Sequence, residues 1–186
     1  MSRKAAFIDR DGVLNEERAF VHLIADFALI GGAIEALRLL QTAGYRLVVI
    51  TNQSGIARGL YSEADYLALT GYMRAQLAAA GVVLDAVEYC PHLPDAPVER
   101  YRLDCDCRKP KPGMLRRAIR ALDLEPGASL LVGDRLSDIE AGRAAGIGRC
   151  FLVRTGCALS DQAAAQADAV YDDLLACARS FVASSR

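Results

Sequence analysis

An α/β fold with a doubly wound, mainly parallel sheet and helices on both faces is what this sequence predicts, on three observations. Short apolar and β-branched runs alternate with helical patterns from end to end of the chain, as in a parallel sheet covered on both sides. The runs end in small polar or acidic residues, where ligands of such sheets collect beyond the carboxyl ends of the strands. No repeat or low-complexity linker interrupts the alternation, so residues 1–186 are expected to form one domain.

Residues 5–8 read as a buried first strand that closes on Asp9-Arg10-Asp11-Gly12, the glycine turning the chain out. Two carboxylates at one strand end repel each other. A divalent cation and a phosphoryl group would explain them: one oxygen attacks phosphorus, the metal offsets the charge and the second carboxyl shuttles a proton. A solvated acidic turn is the alternative. Residues 15–32 look irregular. The strand at 46–51 ends in Thr51-Asn52-Gln53-Ser54-Gly55, whose hydroxyls and N–H groups could hold phosphate oxygens or could simply cap a strand-to-helix turn. The helix predicted over 63–80 aligns Tyr66, Leu69, Met73 and Leu77 on one face.

A strand over 84–90 follows, then an irregular segment, 91–112, and a helix over 113–122 with Leu115, Ala118, Ile119 and Leu122 on one face. The strand at 129–134 ends in Gly133-Asp134-Arg135. Asp134 could complete an oxygen-rich magnesium site, and Ser137 or Asp138 suits a helix N-cap. The strand at 149–153 places Cys150 in the core.

Only three lysines occur, Lys4, Lys109 and Lys111, and two of them lie in Cys107-Arg108-Lys109-Pro110-Lys111-Pro112. A compact ammonium beside a phosphoryl group would account for the pairing, as would chance on a solvated loop. Cys90-Pro91-His92, twelve further residues, then Cys105-Asp106-Cys107 match a tetrahedral Cys3His zinc site. The intervening loop has several prolines and little apolar content, so it needs a clip to stay ordered. Four protein ligands leave no open position, which makes the expected zinc structural; disulfides are the alternative. Cys157 and Cys177 carry no readable signal.

Composition sets the bounds. Apolar residues make up 53%, charged residues 24%, and the net charge is −1, which argues against disorder and offers no basic field for nucleic acid. No apolar run approaches the ~18 residues of a membrane span. With Asp9 so near the start, no secretory signal fits, and a cytoplasmic, monomeric protein is the expectation. In a reducing compartment, clustered members of the six cysteines point to metal.

Asp9-Arg10-Asp11-Gly12, Thr51-Asn52, the basic run 108–111 and Gly133-Asp134 together resemble the four motifs of the haloacid dehalogenase superfamily of phosphatases. The Cys-x-His and Cys-x-Cys loop narrows the resemblance to a zinc-containing, small-capped subgroup that includes heptose-bisphosphate and histidinol-phosphate phosphatases. Residues 51–59 and 107–113 look like the heptose-bisphosphate branch; histidinol phosphatases lack the Ile56-Ala57-Arg58-Gly59 continuation.

The resemblance spans residues 5–155 and implies a magnesium-dependent phosphomonoesterase, with no large cap domain, that removes the 7-phosphate of a heptose 1,7-bisphosphate on the route to nucleotide-activated heptose. It implies that Asp9 is the nucleophile and Asp11 the general acid and base. Magnesium is expected on Asp9, the Asp11 backbone carbonyl and Asp134. Thr51 and Lys109, less readily Lys111, would stabilise the phosphoryl charge. Cys90, His92, Cys105 and Cys107 would hold zinc. Arg108, Asn52, Gln53, Ser54 and Arg135 are expected to contact the substrate. So are Glu17, Arg18, Ala19 and Phe20, which replace a more familiar Asp-x-Gly-Tyr pattern in the substrate-facing loop. Val13 stands where threonine is usual. A histidinol-phosphate or broader sugar phosphatase is the alternative enzyme, and a non-catalytic zinc-clipped scaffold the alternative of another class.

Overall fold

The structure, a computed structural model, describes residues 3–184. Its strands are β1 (Ala5–Ile8), β2 (Arg46–Asn52), β3 (Ala86–Cys90), β4 (Leu130–Gly133), β5 (Arg149–Val153) and β6 (Ala169–Tyr171). They form an all-parallel sheet in the order β3-β2-β1-β4-β5-β6. The helices are α1 (Ala33–Thr42), α2 (Ser54–Ala57), α3 (Glu63–Ala79), α4 (Gly113–Ala121), α5 (Leu136–Ala144), α6 (Asp161–Gln166) and α7 (Leu174–Ser184).

Successive side chains of a strand point to opposite faces, so each strand feeds two cores. Ile8, Val49 and Val132 pack with Leu37 of α1, Met73 of α3 and Leu174 of α7. Phe7, Ile50 and Leu131 pack with Leu115 of α4, Ile139 of α5 and Ala163 of α6. The face predicted for the third helix is the one buried, with Tyr66, Leu69, Met73 and Leu77 all inside. Ser62 and Asp65 start that helix with a capping box: the hydroxyl accepts the Asp65 N–H and the carboxylate accepts the Ser62 N–H.

Strand ends differ from expectation by a residue or two. The segments 15–32 and 91–112 are irregular as predicted, apart from single turns of 3-10 helix at Ile24–Asp26 and Glu99–Tyr101. Cys150 and Cys177 are core residues. Among the described residues no helix is long and apolar enough to cross a membrane.

The sheet order reverses between β1 and β4. Such a switch point opens a crevice beyond the carboxyl ends of the two strands, and the acidic residues lie there.

Candidate active site

β1 delivers Asp9 to the crevice with its N–H still bonded to the Val132 carbonyl at 3.0 Å, which extends the ladder by one residue. Beside it, Asp134 leaves the end of β4 and Asp138 sits in the first turn of α5. One carboxylate oxygen from each of these three buried residues lies within 4.8 Å of the others. Lys109, only 4% exposed, is the ammonium among them. Its Nζ lies 2.9 Å from Asp9 Oδ1, 2.5 Å from Asp138 Oδ1 and 3.3 Å from the Ile50 carbonyl.

Burial pushes the Asp9 carboxyl up to about 8, with the charges of Asp138 and Asp134 adding to the rise and that of Lys109 opposing it. Asp134 is raised by burial and by Asp138. For Lys109 burial works downward, but the Asp138 and Asp9 charges outweigh it and hold the ammonium above its ordinary range. Three carboxylates around one ammonium leave the crevice short of positive charge.

Asp134 gives the clearest measure of what the crevice can hold. Its Oδ2 accepts the Cys157 N–H at 2.9 Å, while its buried Oδ1 has no hydrogen-bond partner among the described residues and faces the Arg135 Nε only at 3.7 Å. The packing around it admits no side chain: a Cβ on Gly156 would lie 2.1 Å from Asp134 Oδ2, and one on Gly12, whose φ is +83°, 2.7 Å from it. An all-oxygen donor set with an orphaned carboxylate oxygen fits magnesium, held by Asp9 and Asp134. Asp138 belongs to the same cluster but already carries Lys109 and accepts the Asp134 and Arg135 N–H groups at 3.2 and 3.0 Å.

The carboxylate of Asp11 lies outside that cluster, so a metal contact from Asp11 rests on its backbone carbonyl. Buried Arg10 forks the carboxylate, with Nε 3.1 Å from Oδ2 and Nη2 2.9 Å from Oδ1. Asn15 Nδ2 donates to Oδ1 at 3.0 Å and Gln53 Nε2 to Oδ2 at 3.0 Å. Thr51 is buried at the end of β2.

A cavity of about 770 Å³ opens over these groups, lined by Asp9, Asp11, Thr51 and Lys109 on its floor and by Glu17, Ala19, Phe20, Arg58, Arg108 and Arg135 among its walls. Ser54 also lines it. Asn52 and Gln53 line it too, with their amides bonded within the protein, whereas Arg18 does not, because its guanidinium folds back onto Glu16. The Asn52 amide is closed on the Lys109 peptide, donating to its carbonyl and accepting its N–H, both at 3.1 Å. Gln53 is 2% exposed and has both amide atoms bonded inside the protein. Lys111 stands apart from the site, paired with exposed Asp104 at 2.5 Å.

Arg10, Arg58, Tyr61, Ser137 and Asp138 also belong to the site or its wall, and sequence reasoning did not place them there. Arg10 and Asp138 carried a signal: each lies beside or one helical turn beyond a motif aspartate. Tyr61 carried none, since only the fold brings it to Gln53.

Just before the wall residue Arg108 in the chain, Cys107 converges with Cys90, His92 and Cys105. The sulfurs lie 3.1–3.4 Å apart, and His92 Nδ1 is 3.5 Å from Cys107 Sγ and 3.9 Å from Cys90 Sγ. A tetrahedron with zinc–sulfur bonds of ~2.3 Å has edges of roughly 3.7 Å, so the donor set fits zinc, and no disulfide joins these cysteines. Hydrogen bonding with Cys90 and then Cys105 and His92 draws the Cys107 thiol down to about 4. Arg108 and Lys109 follow Cys107 directly, and Arg108 Nη1 donates to the His92 carbonyl at 3.4 Å.

A Rossmann-like sheet carrying a buried aspartate, an acidic partner two residues on, a lysine and a further strand-end aspartate defines a hydrolase of the HAD-like class. A HAD-hydrolase-like family model matches residues 106–177. The D-glycero-beta-D-manno-heptose-1,7-bisphosphate 7-phosphatases of Photorhabdus laumondii and Escherichia coli K12 are each 48% identical to this chain over 170 residues, covering 91% of it and 90% and 89% of theirs. The crystal structure of D,D-heptose 1,7-bisphosphate phosphatase from B. bronchiseptica complexed with magnesium and phosphate superposes with a TM-score of 0.84 at 36% identity, over 97% of this chain and 99% of that one. The chain belongs to the D-glycero-beta-D-manno-heptose-1,7-bisphosphate 7-phosphatase family.

Proposed function

We propose that this protein is a magnesium-dependent phosphatase that removes the 7-phosphate of D-glycero-beta-D-manno-heptose 1,7-bisphosphate through an aspartyl-phosphate on Asp9. The observation that carries the reading is the crevice itself: a buried carboxylate on Asp9, bonded to Lys109 and flanked by an orphaned oxygen of Asp134.

Asp9 Oδ attacks phosphorus in line with the departing sugar oxygen. Lys109 and the Thr51 hydroxyl hold the equatorial oxygens as charge develops on them. Asp11 gives its proton to the leaving oxygen and then takes one from the water that hydrolyses the acyl phosphate. Held by Asp9 and Asp134, with a carbonyl from Asp11, magnesium would neutralise phosphoryl charge and orient the group. Arg58 and Arg108, guanidiniums that line the cavity and have no carboxylate partner among the described residues, take the second phosphate. The beta configuration is carried over from the names of the relatives.

The test is magnesium-dependent phosphate release, comparing kcat/KM for both anomers of the bisphosphate with histidinol phosphate. A preference for the beta anomer of about a hundredfold, ~2.7 kcal/mol of differential transition-state binding, is expected. Asp9→Asn abolishes turnover. Equal activity on histidinol phosphate would sink the heptose assignment, and release that survives Asp9→Asn would sink the covalent mechanism.

A further inference from the structure

Gln53 lies at the end of β2 with every polar atom of its side chain engaged. Nε2 donates to Asp11 Oδ2 at 3.0 Å and to Thr51 Oγ1 at 2.7 Å, and Oε1 faces the Tyr61 hydroxyl at 2.6 Å and Arg10 Nη2 at 3.4 Å. The chemistry of its neighbours fixes which way round the amide sits. Arg10 can only donate, so Oε1 faces it, and Nε2 is left to face Asp11 Oδ2 and Thr51 Oγ1. The Tyr61 hydroxyl must therefore donate to Oε1. The Thr51 hydroxyl oxygen must accept, because an amide nitrogen accepts nothing.

That polarity has a consequence for Thr51. With its oxygen taken as an acceptor, its own proton has no acceptor among the described residues, and Thr51 lines the cavity floor beside Asp9 and Lys109. We infer that Tyr61 and Gln53 form a positioning relay that points the Thr51 hydroxyl proton at the phosphoryl group and holds Asp11 beside it. Gln53 is thereby a positioning residue and makes no substrate contact. The inference rests on the phosphatase reading above.

The fold builds the relay from pieces far apart in sequence. A Cβ on Gly55 would stand 2.1 Å from the Tyr61 ring, so glycine at 55 lets the ring reach Gln53. His22, from the substrate-facing loop, stacks on that ring at 4.8 Å and 6°. Tyr61 is held un-ionised, burial pushing its hydroxyl up to about 12, so it remains a donor at neutral pH.

Two variants test the relay. Tyr61→Phe keeps the ring, its packing on Gly55 and the His22 stack, and removes one hydrogen bond. Gln53→Met keeps the volume and removes all of them. A directly bonded oxyanion donor is worth on the order of a hundredfold in kcat, so Gln53→Met is expected to lower kcat roughly 30-fold and Tyr61→Phe about threefold, each with KM within twofold of wild type. Calorimetric titration gives a second readout that needs no turnover. Vanadate, a mimic of the five-coordinate transition state, should lose affinity in parallel with kcat, while inorganic phosphate keeps its own.

A rise in KM with kcat preserved would make Gln53 a substrate contact and overturn the relay, as would equal losses for vanadate and phosphate or wild-type kinetics in both variants. If Gln53→Met does not fold, Tyr61→Phe decides alone. Should the wild-type protein release no phosphate from the heptose bisphosphate, the functional reading fails, and the two titrations still judge the relay.

Discussion

Lys109 shows how much of this site hangs on one side chain. Its ammonium is enclosed by Asp9, Asp138 and the Ile50 carbonyl, and it supplies the crevice with its compact positive charge. Removing one partner of a buried ion pair typically costs ~3–5 kcal/mol, because the charge left behind has neither water nor a counter-ion. Lys109→Met should therefore lower stability by about that much in chelator and kcat/KM by at least roughly a hundredfold in magnesium. Thermal melting with and without magnesium checks it: the variant should gain more from the ion than wild type does. Melting unchanged from wild type in chelator would mean that Lys109 holds no net charge balance. Lys111, two residues on, bonds Asp104 at the surface, and its replacement by Met should leave both quantities near wild type. Two lysines in one hexapeptide were legible as a pair. The spacing alone does not say which one is buried; the resemblance to the family motif favoured Lys109, and the fold buries that one.

At the scale of elements, the periodicities were the most readable part of the chain. The helix face Tyr66–Leu69–Met73–Leu77 followed from a repeat of 3.6 residues, and the strands of the sheet's centre from short apolar and β-branched runs. β6 is three residues long and half-buried, too short for a period to show. α7 packs its core side on α1 and brings Phe181 against Tyr45 and Phe151, a partnership only the folded chain creates. The zinc loop was legible because soft ligands at tight spacing are scarce by chance. Its mechanical role emerges from its neighbours. Cys107 precedes Arg108 and Lys109, and Tyr89 and Tyr101 donate to Glu63 of α3 at 2.7 and 2.8 Å, tying the loop to the helix layer. A metal clip of this kind contributes folding free energy directly. We expect about one equivalent of zinc by elemental analysis. Cys107→Ser, or stripping the zinc, should lower activity at saturating magnesium by roughly tenfold or more, since the lysine is no longer held. Full activity in a zinc-free sample would refute the coupling of clip to lysine.

Across the whole molecule the charges are sorted more than they are abundant. The net charge is −1, yet the cavity wall gathers Arg58, Arg108 and Arg135 above an acidic floor. Arg135 is engaged, 3.4 Å from Glu17 and 3.7 Å from Asp134. Arg58 and Arg108 have no such partner among the described residues, although Arg108 makes a long bond to a backbone carbonyl. With no large cap to enclose the substrate, binding energy for orienting the reacting phosphate must come from short elements at the rim. Remote contacts of this sort raise the rate only for substrates long enough to reach them. Arg58→Ala and Arg108→Ala together should therefore reduce kcat/KM for the bisphosphate by on the order of a hundredfold, about what two charge-assisted bonds contribute. Activity on a small phosphomonoester such as p-nitrophenyl phosphate should stay within about threefold, because its single phosphate occupies only the floor, where both variants leave Asp9, Thr51 and Lys109 intact. Parallel losses on both substrates would place the arginines in the chemistry itself. An unchanged bisphosphate rate would move the second phosphate to another part of the wall, with Arg135 the remaining cation able to receive it.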